Sequence, residues 1–135
     1  MATQAMGPEL LAHRADRGET RPLSEHVLMP LGRALFAAIF LYSSIGHFSQ
    51  ATIHYAASHG VPLANLLVPA SGVLAFVGGL SVLLGLKARY GAAMLVAFLV
   101  PVTLLMHDFW NVADPMMRQT QQVMFLKNLS MLGGA

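Results

Sequence analysis

Between Glu25 and Asp108 the sequence has no acidic residue, and Arg33, Lys87 and Arg89 are its only basic ones. Water-soluble helices of that length would carry charged faces, so this stretch is expected to fold in lipid. It divides into three apolar runs, Val27 to Phe48, Leu63 to Leu86 and Tyr90 to Met106. Each approaches the roughly 20 residues that a helix needs to cross a bilayer core. The second is the cleanest, with 24 residues and no charge. Composition agrees: 56% of the residues are hydrophobic and 10% charged, an excess of apolar surface that one soluble domain of 135 residues could not bury.

A fourth apolar run, Val123 to Ala135, holds 13 residues and would rise only about 20 Å as a helix. Truncation of a longer natural chain is the favoured explanation, and a last helix that spans only in part is the alternative. The expected fold is therefore all-α, a polytopic membrane protein built as a four-transmembrane-helix bundle over residues 27–135. Residues 1–26, which hold most of the acidic residues together with Pro8, Gly18 and Pro22, are expected to form a flexible tail. The apolar run begins only after Glu25, which suits a retained anchor rather than a cleaved signal peptide.

Orientation follows from the basic residues. Arg14, Arg17, Arg21, Arg33, Lys87 and Arg89 fall on one side, and Arg118 alone on the segments of the other. This places the N-terminus in the cytoplasm and the segments Ser49–Pro62 and His107–Gln122 outside. In the second run, Ser71, Gly78 and Gly85 recur every seventh residue, as do Gly72 and Gly79. Such lanes let helices approach closely. Pro69 and Pro101 are expected to kink their helices.

Several classes of function are disfavoured. Basic residues are thinly spread, which argues against a nucleic-acid partner. With no cysteine, the chain has no thiolate metal site, thiol-ligated iron–sulfur cluster or persulfide relay. No metal-ligand spacing stands out, and a haem, which would need His47 and His107 as facing axial ligands, is disfavoured.

Chemistry-bearing residues gather at the outer ends of the runs. His47 closes the first, and His107, with Asp108 and Trp110, closes the third, at similar depth. His54 would share a face with His47 if that helix continued past Phe48. Lys127, with Asn128 beside it, stands inside the fourth apolar run, where an ionisable group costs a few kcal/mol unless it finds a partner or water. A site lined by His47, His107, Trp110 and Lys127 is expected at the outer leaflet. The alternatives are interfacial structural histidines and a snorkelling lysine.

From Leu31 to Ala135 the chain resembles the DoxX family of small four-helix integral membrane proteins. The resemblance is carried by Gly32-Arg33, Gly46-His47-Phe48, the glycines of the second run, His107-Asp108-Phe109-Trp110 and Phe125-Leu126-Lys127-Asn128-Leu129. It implies a multi-pass subunit of the bacterial inner membrane associated with quinone-linked oxidoreductases. By matching position, it singles out Arg33, His47, His107, Lys127 and Asn128. In the enzymatic reading, His47, His107 and Lys127 serve a quinone's carbonyl oxygens and protons, with Trp110, Asp108, Asn128 and Arg33 binding. In the other reading, the chain is a non-catalytic accessory or scaffold subunit whose small-residue faces dock on a larger complex. Either way the expected partners are membrane lipid and protein subunits or further copies of the chain.

Overall fold

The structure, a computed structural model, describes residues 23–135; among these it contains helices and no strand. A π-helical turn, Ser24–Leu28, leads into α1 (Met29–Gly46). There follow α2 (Gln50–Ser58), α3 (Ala64–Leu84), α4 (Ala88–Met106), a 3-10 turn at Phe109–Asn111 and α5 (Pro115–Gly134). The expected tail falls largely on residues 1–22, outside the described residues.

Among the described residues, three helical stretches are long and apolar enough to cross a membrane: His26–Gly46, Ala64–Leu84 and Ala88–Asn111. They correspond to the three complete apolar runs. The fourth run proves to be the second half of a longer helix. Asp114 accepts a hydrogen bond from the Met117 amide at 2.8 Å, and Pro115 occupies the first turn, so α5 starts eight residues ahead of Val123. Its 20 residues rise about 30 Å. The polar first turns keep it outside the set of apolar spans.

The first helix does not continue past Phe48. The chain turns at His47–Phe48, and Ser49 opens α2 by accepting from the Thr52 amide at 3.2 Å. His54 therefore belongs to a separate helix, where it is exposed and shares no helical face with His47. On its other side α2 buries Ile53 and Ala56 against Ala64 and Val68 of α3.

The packed unit runs from Gly32 to Ala135. In it the glycine lanes of α3 set the register of its neighbours. A Cβ on Gly72 would meet His47, one on Gly79 would meet Phe40 and Leu41, and one on Gly85 would meet the Arg33 guanidinium. As α3 runs backward from 85 to 72, α1 runs forward from 33 to 47, so the two are antiparallel. Gly78 faces α4 instead, where it lies against Gly91 and Leu95. Gly85 also ends α3 with φ of +68°, a left-handed cap that glycine adopts without steric cost. Phe40, Ala75, Leu95, Phe98 and Leu99 fill the core where these helices meet.

Outside that thin core the surface is oily. Leu35, Ile45, Leu66, Val73, Phe76 and Leu104 are all exposed. A soluble monomer rarely shows so continuous an apolar surface, whereas contact with lipid tails suits it.

Candidate functional site

Three helix segments deliver polar groups to one small space. The last turn of α1 presents His47, whose ring packs edge-on against Phe98 of α4 at 5.4 Å between centroids. The end of α4 presents His107, and the middle of α5 presents Lys127 and Asn128. All four line a single cavity of about 150 Å³, walled by apolar side chains including Phe40, Phe98, Leu99 and Met131. Asn128 is 4% exposed, the only buried residue of α5. Lys127 is exposed and reaches the cavity from its rim. A cavity of this size accommodates one small aromatic ring.

Hydrogen bonds hold both imidazoles. The Nδ1 of His47 lies 2.9 Å from the Ser43 carbonyl oxygen, one turn back on the same helix. The Nδ1 of His107 lies 2.7 Å from Gln121 Oε1 on α5, and the amide of Gln121 in turn donates to the Tyr55 hydroxyl of α2 at 3.3 Å. Gln121 thereby ties together the elements around one end of the site.

His47 and Val102 also border a second space, an apolar groove of about 760 Å³ between α2, α3 and α4. Its walls include Val61, Leu67, Leu74, Leu105 and Met106. His47 thus stands between the small cavity, with its few polar groups, and a large greasy groove.

The remaining candidates lie elsewhere. Trp110 is half exposed and packs in an aromatic cluster with Phe109 and Phe125, at 5.1 and 5.9 Å. Asp108 accepts from Asn111 Nδ2 at 2.9 Å. Neither lines the cavity. Arg33 packs against Gly85, about 20 Å along α1 from His47 at a rise of about 1.5 Å per residue. That places it at the opposite end of the packed unit. His59 stacks on Tyr55 at 4.2 Å. No group of three or more His, Cys, Asp or Glu residues able to hold a metal occurs among the described residues.

The helical architecture, the apolar spans and the residues closing them coincide with a family match. The DoxX family model covers residues 28–108, more than half of the chain. The chain belongs to the DoxX family. The matched region of this DoxX protein contains Arg33, His47 and His107, while Lys127 and Asn128 follow it on α5. No curated protein and no solved structure matches the chain significantly.

Sequence reasoning missed Gln121. Its partners His107 and Tyr55 lie 14 and 66 residues away, separations that only the tertiary fold closes. In the sequence it is one of three glutamines in the polar first half of α5, with nothing to distinguish it from Gln119 or Gln122.

Proposed function

We propose that this DoxX protein is a membrane subunit of a quinone-linked oxidoreductase, and that its small cavity holds a quinone ring at the outer leaflet. The observation that carries this reading is the convergence of His47, His107, Lys127 and Asn128 on one ring-sized space with apolar walls. A few convergent polar groups in an otherwise apolar pocket are the usual form of a small-molecule site. Bound there, a quinone supplies two-electron, two-proton carrier chemistry. The chain's own part is to bind and orient the ring, with Lys127 and Asn128 as donors, and to exchange protons through the imidazoles. With no cysteine the chain holds no thiol-ligated iron–sulfur cluster of its own, and in this proposal electrons enter from a partner subunit.

In this reading α5 is the fourth crossing of a four-helix bundle in the bacterial inner membrane, with the N-terminus cytoplasmic. Introduced cysteines test the orientation in this cysteine-free chain: Ser58→Cys is expected to label with a membrane-impermeant thiol reagent in intact cells, and Ala88→Cys not. The reverse pattern would invert the topology and put the cavity at the inner leaflet.

The accessory reading called for small-residue lanes free to dock on a partner. Gly72, Gly78 and Gly79 instead face other helices of the same chain, which favours the ligand-binding reading. Purification in mild detergent, followed by solvent extraction and mass spectrometry, tests it. Quinone recovered in stoichiometric amount is expected. A protein that copurifies with a large complex yet never carries quinone would support the accessory role.

A further inference from the structure

The hydrogen bonds behind the two histidines determine what their other nitrogens offer. A carbonyl oxygen can only accept, so the Nδ1 of His47 carries the proton it donates to Ser43 O. In His107 the Nδ1 lies 2.7 Å from Gln121 Oε1, whose Nε2 donates to the Tyr55 hydroxyl, and with the amide in this orientation Nδ1 is again the donor. In a neutral imidazole with hydrogen on Nδ1, Nε2 is a lone-pair acceptor. The polar residues lining the cavity are therefore two imidazoles whose remaining nitrogen is an acceptor, Lys127 with its ammonium donor, and Asn128, whose amide can do either.

We infer that the site is built for a ligand that donates hydrogen bonds, a dihydroxy-aromatic ring such as the reduced form of a quinone, and that Gln121 is the positioning residue that sets this preference through His107. The inference rests on the proposed ligand-binding role of the cavity and specifies its chemistry. A hydroquinone places an O–H on an Nε2 lone pair and can still accept from Lys127 through the same oxygen. A quinone presents only carbonyl acceptors, so it bonds to Lys127 and Asn128 but leaves two imidazole lone pairs facing its own. An unmatched acceptor that ligand binding removes from water loses the hydrogen bond it would have made there. Lys127 beside the imidazoles also disfavours a metal cation as the ligand of the two nitrogens.

The test uses the full chain in detergent at pH 8 under anaerobic conditions, with duroquinol and duroquinone as probes; full methylation spares Lys127 from addition to the ring. Duroquinol is expected to bind more tightly by roughly tenfold, the worth of about one good hydrogen bond. In Gln121→Leu that preference shrinks, and in Gln121→Glu, which keeps an acceptor facing Nδ1, it is retained. Nitrogen NMR of the histidine side chains reads the cause without any ligand. Two rings protonated at Nδ1 are expected in the parent protein, and His107 loses that state in Gln121→Leu but not in Gln121→Glu. Equal or tighter binding of duroquinone, or His107 protonated at Nε2 in the parent protein, overturns the inference while leaving a quinone site standing. Failure of both probes to bind overturns the proposed site and this inference with it.

Discussion

Gly91→Leu is expected to abolish accumulation of the protein in the membrane. α3 and α4 approach closely at this point. A Cβ on Gly91 would fall 2.7 Å from Ser81 Cβ and 2.9 Å from the Gly78 carbonyl oxygen. The second obstacle is backbone, which no change of rotamer can move aside, so the helices must separate along the core formed by Ala75, Leu95 and Leu99. Overpacking of this kind costs about 3 kcal/mol or more, against about 0.5 kcal/mol for an exposed conservative change. Leu84→Ile, at a side chain 56% exposed, is the control. Quantitative immunoblotting of membranes and thermal unfolding in detergent report the difference. Normal levels and stability in Gly91→Leu would mean that α3 and α4 do not approach as described.

The largest expected effect on binding is that of Lys127→Met. The ammonium is the cavity's one permanent donor of full charge, and Met retains much of the side chain's length and apolar surface while removing it. A hydrogen bond to a charged group is worth about 2 kcal/mol, so quinone affinity should fall on the order of thirtyfold. Folding should be unharmed, since Lys127 is exposed and no carboxylate among the described residues pairs with it. His47→Gln and His107→Gln, which remove an imidazole acceptor, should weaken binding of the hydroquinone. Ligand titration at matched protein levels measures each. Undiminished affinity in Lys127→Met would leave it a snorkelling lysine at the rim.

These two sites differ in how visible they were in the sequence. The absence of acidic residues over the first three runs, with Arg33 the one basic residue inside them, and the seven-residue spacing of Gly72, Gly78, Gly79 and Gly85 are local patterns, and they anticipated three apolar spans and close helix packing. His47, His107 and Lys127 stood out as polar residues at the ends or interior of apolar runs. The structure brings them together with Asn128 because α1, α4 and α5 meet around Phe98 and Leu99. Trp110 and Asp108 are adjacent to His107 in sequence, yet the 3-10 turn at Phe109–Asn111 carries them away from the cavity. Arg33 was grouped with the site by resemblance alone, and the length of α1 separates it from His47. The break at His47–Ser49 was hidden because a serine cap is indistinguishable in the sequence from any other interfacial serine. Gln121 was invisible for a related reason, since its meaning lies wholly in long-range contacts.

Photoaffinity labelling decides whether the space between His47, His107, Lys127 and Asn128 receives a quinone ring. A short-tailed azidoquinone is irradiated with the purified protein in mild detergent, with and without excess unlabelled quinone, and the modified peptides are sequenced. Competed labelling is expected only at the walls of the cavity, at the end of α1, around Phe98–Val102 and near Met131. Labelling scattered over the lipid-facing side chains, such as Leu35, Leu66 and Leu104, and unaffected by competitor, would contradict it.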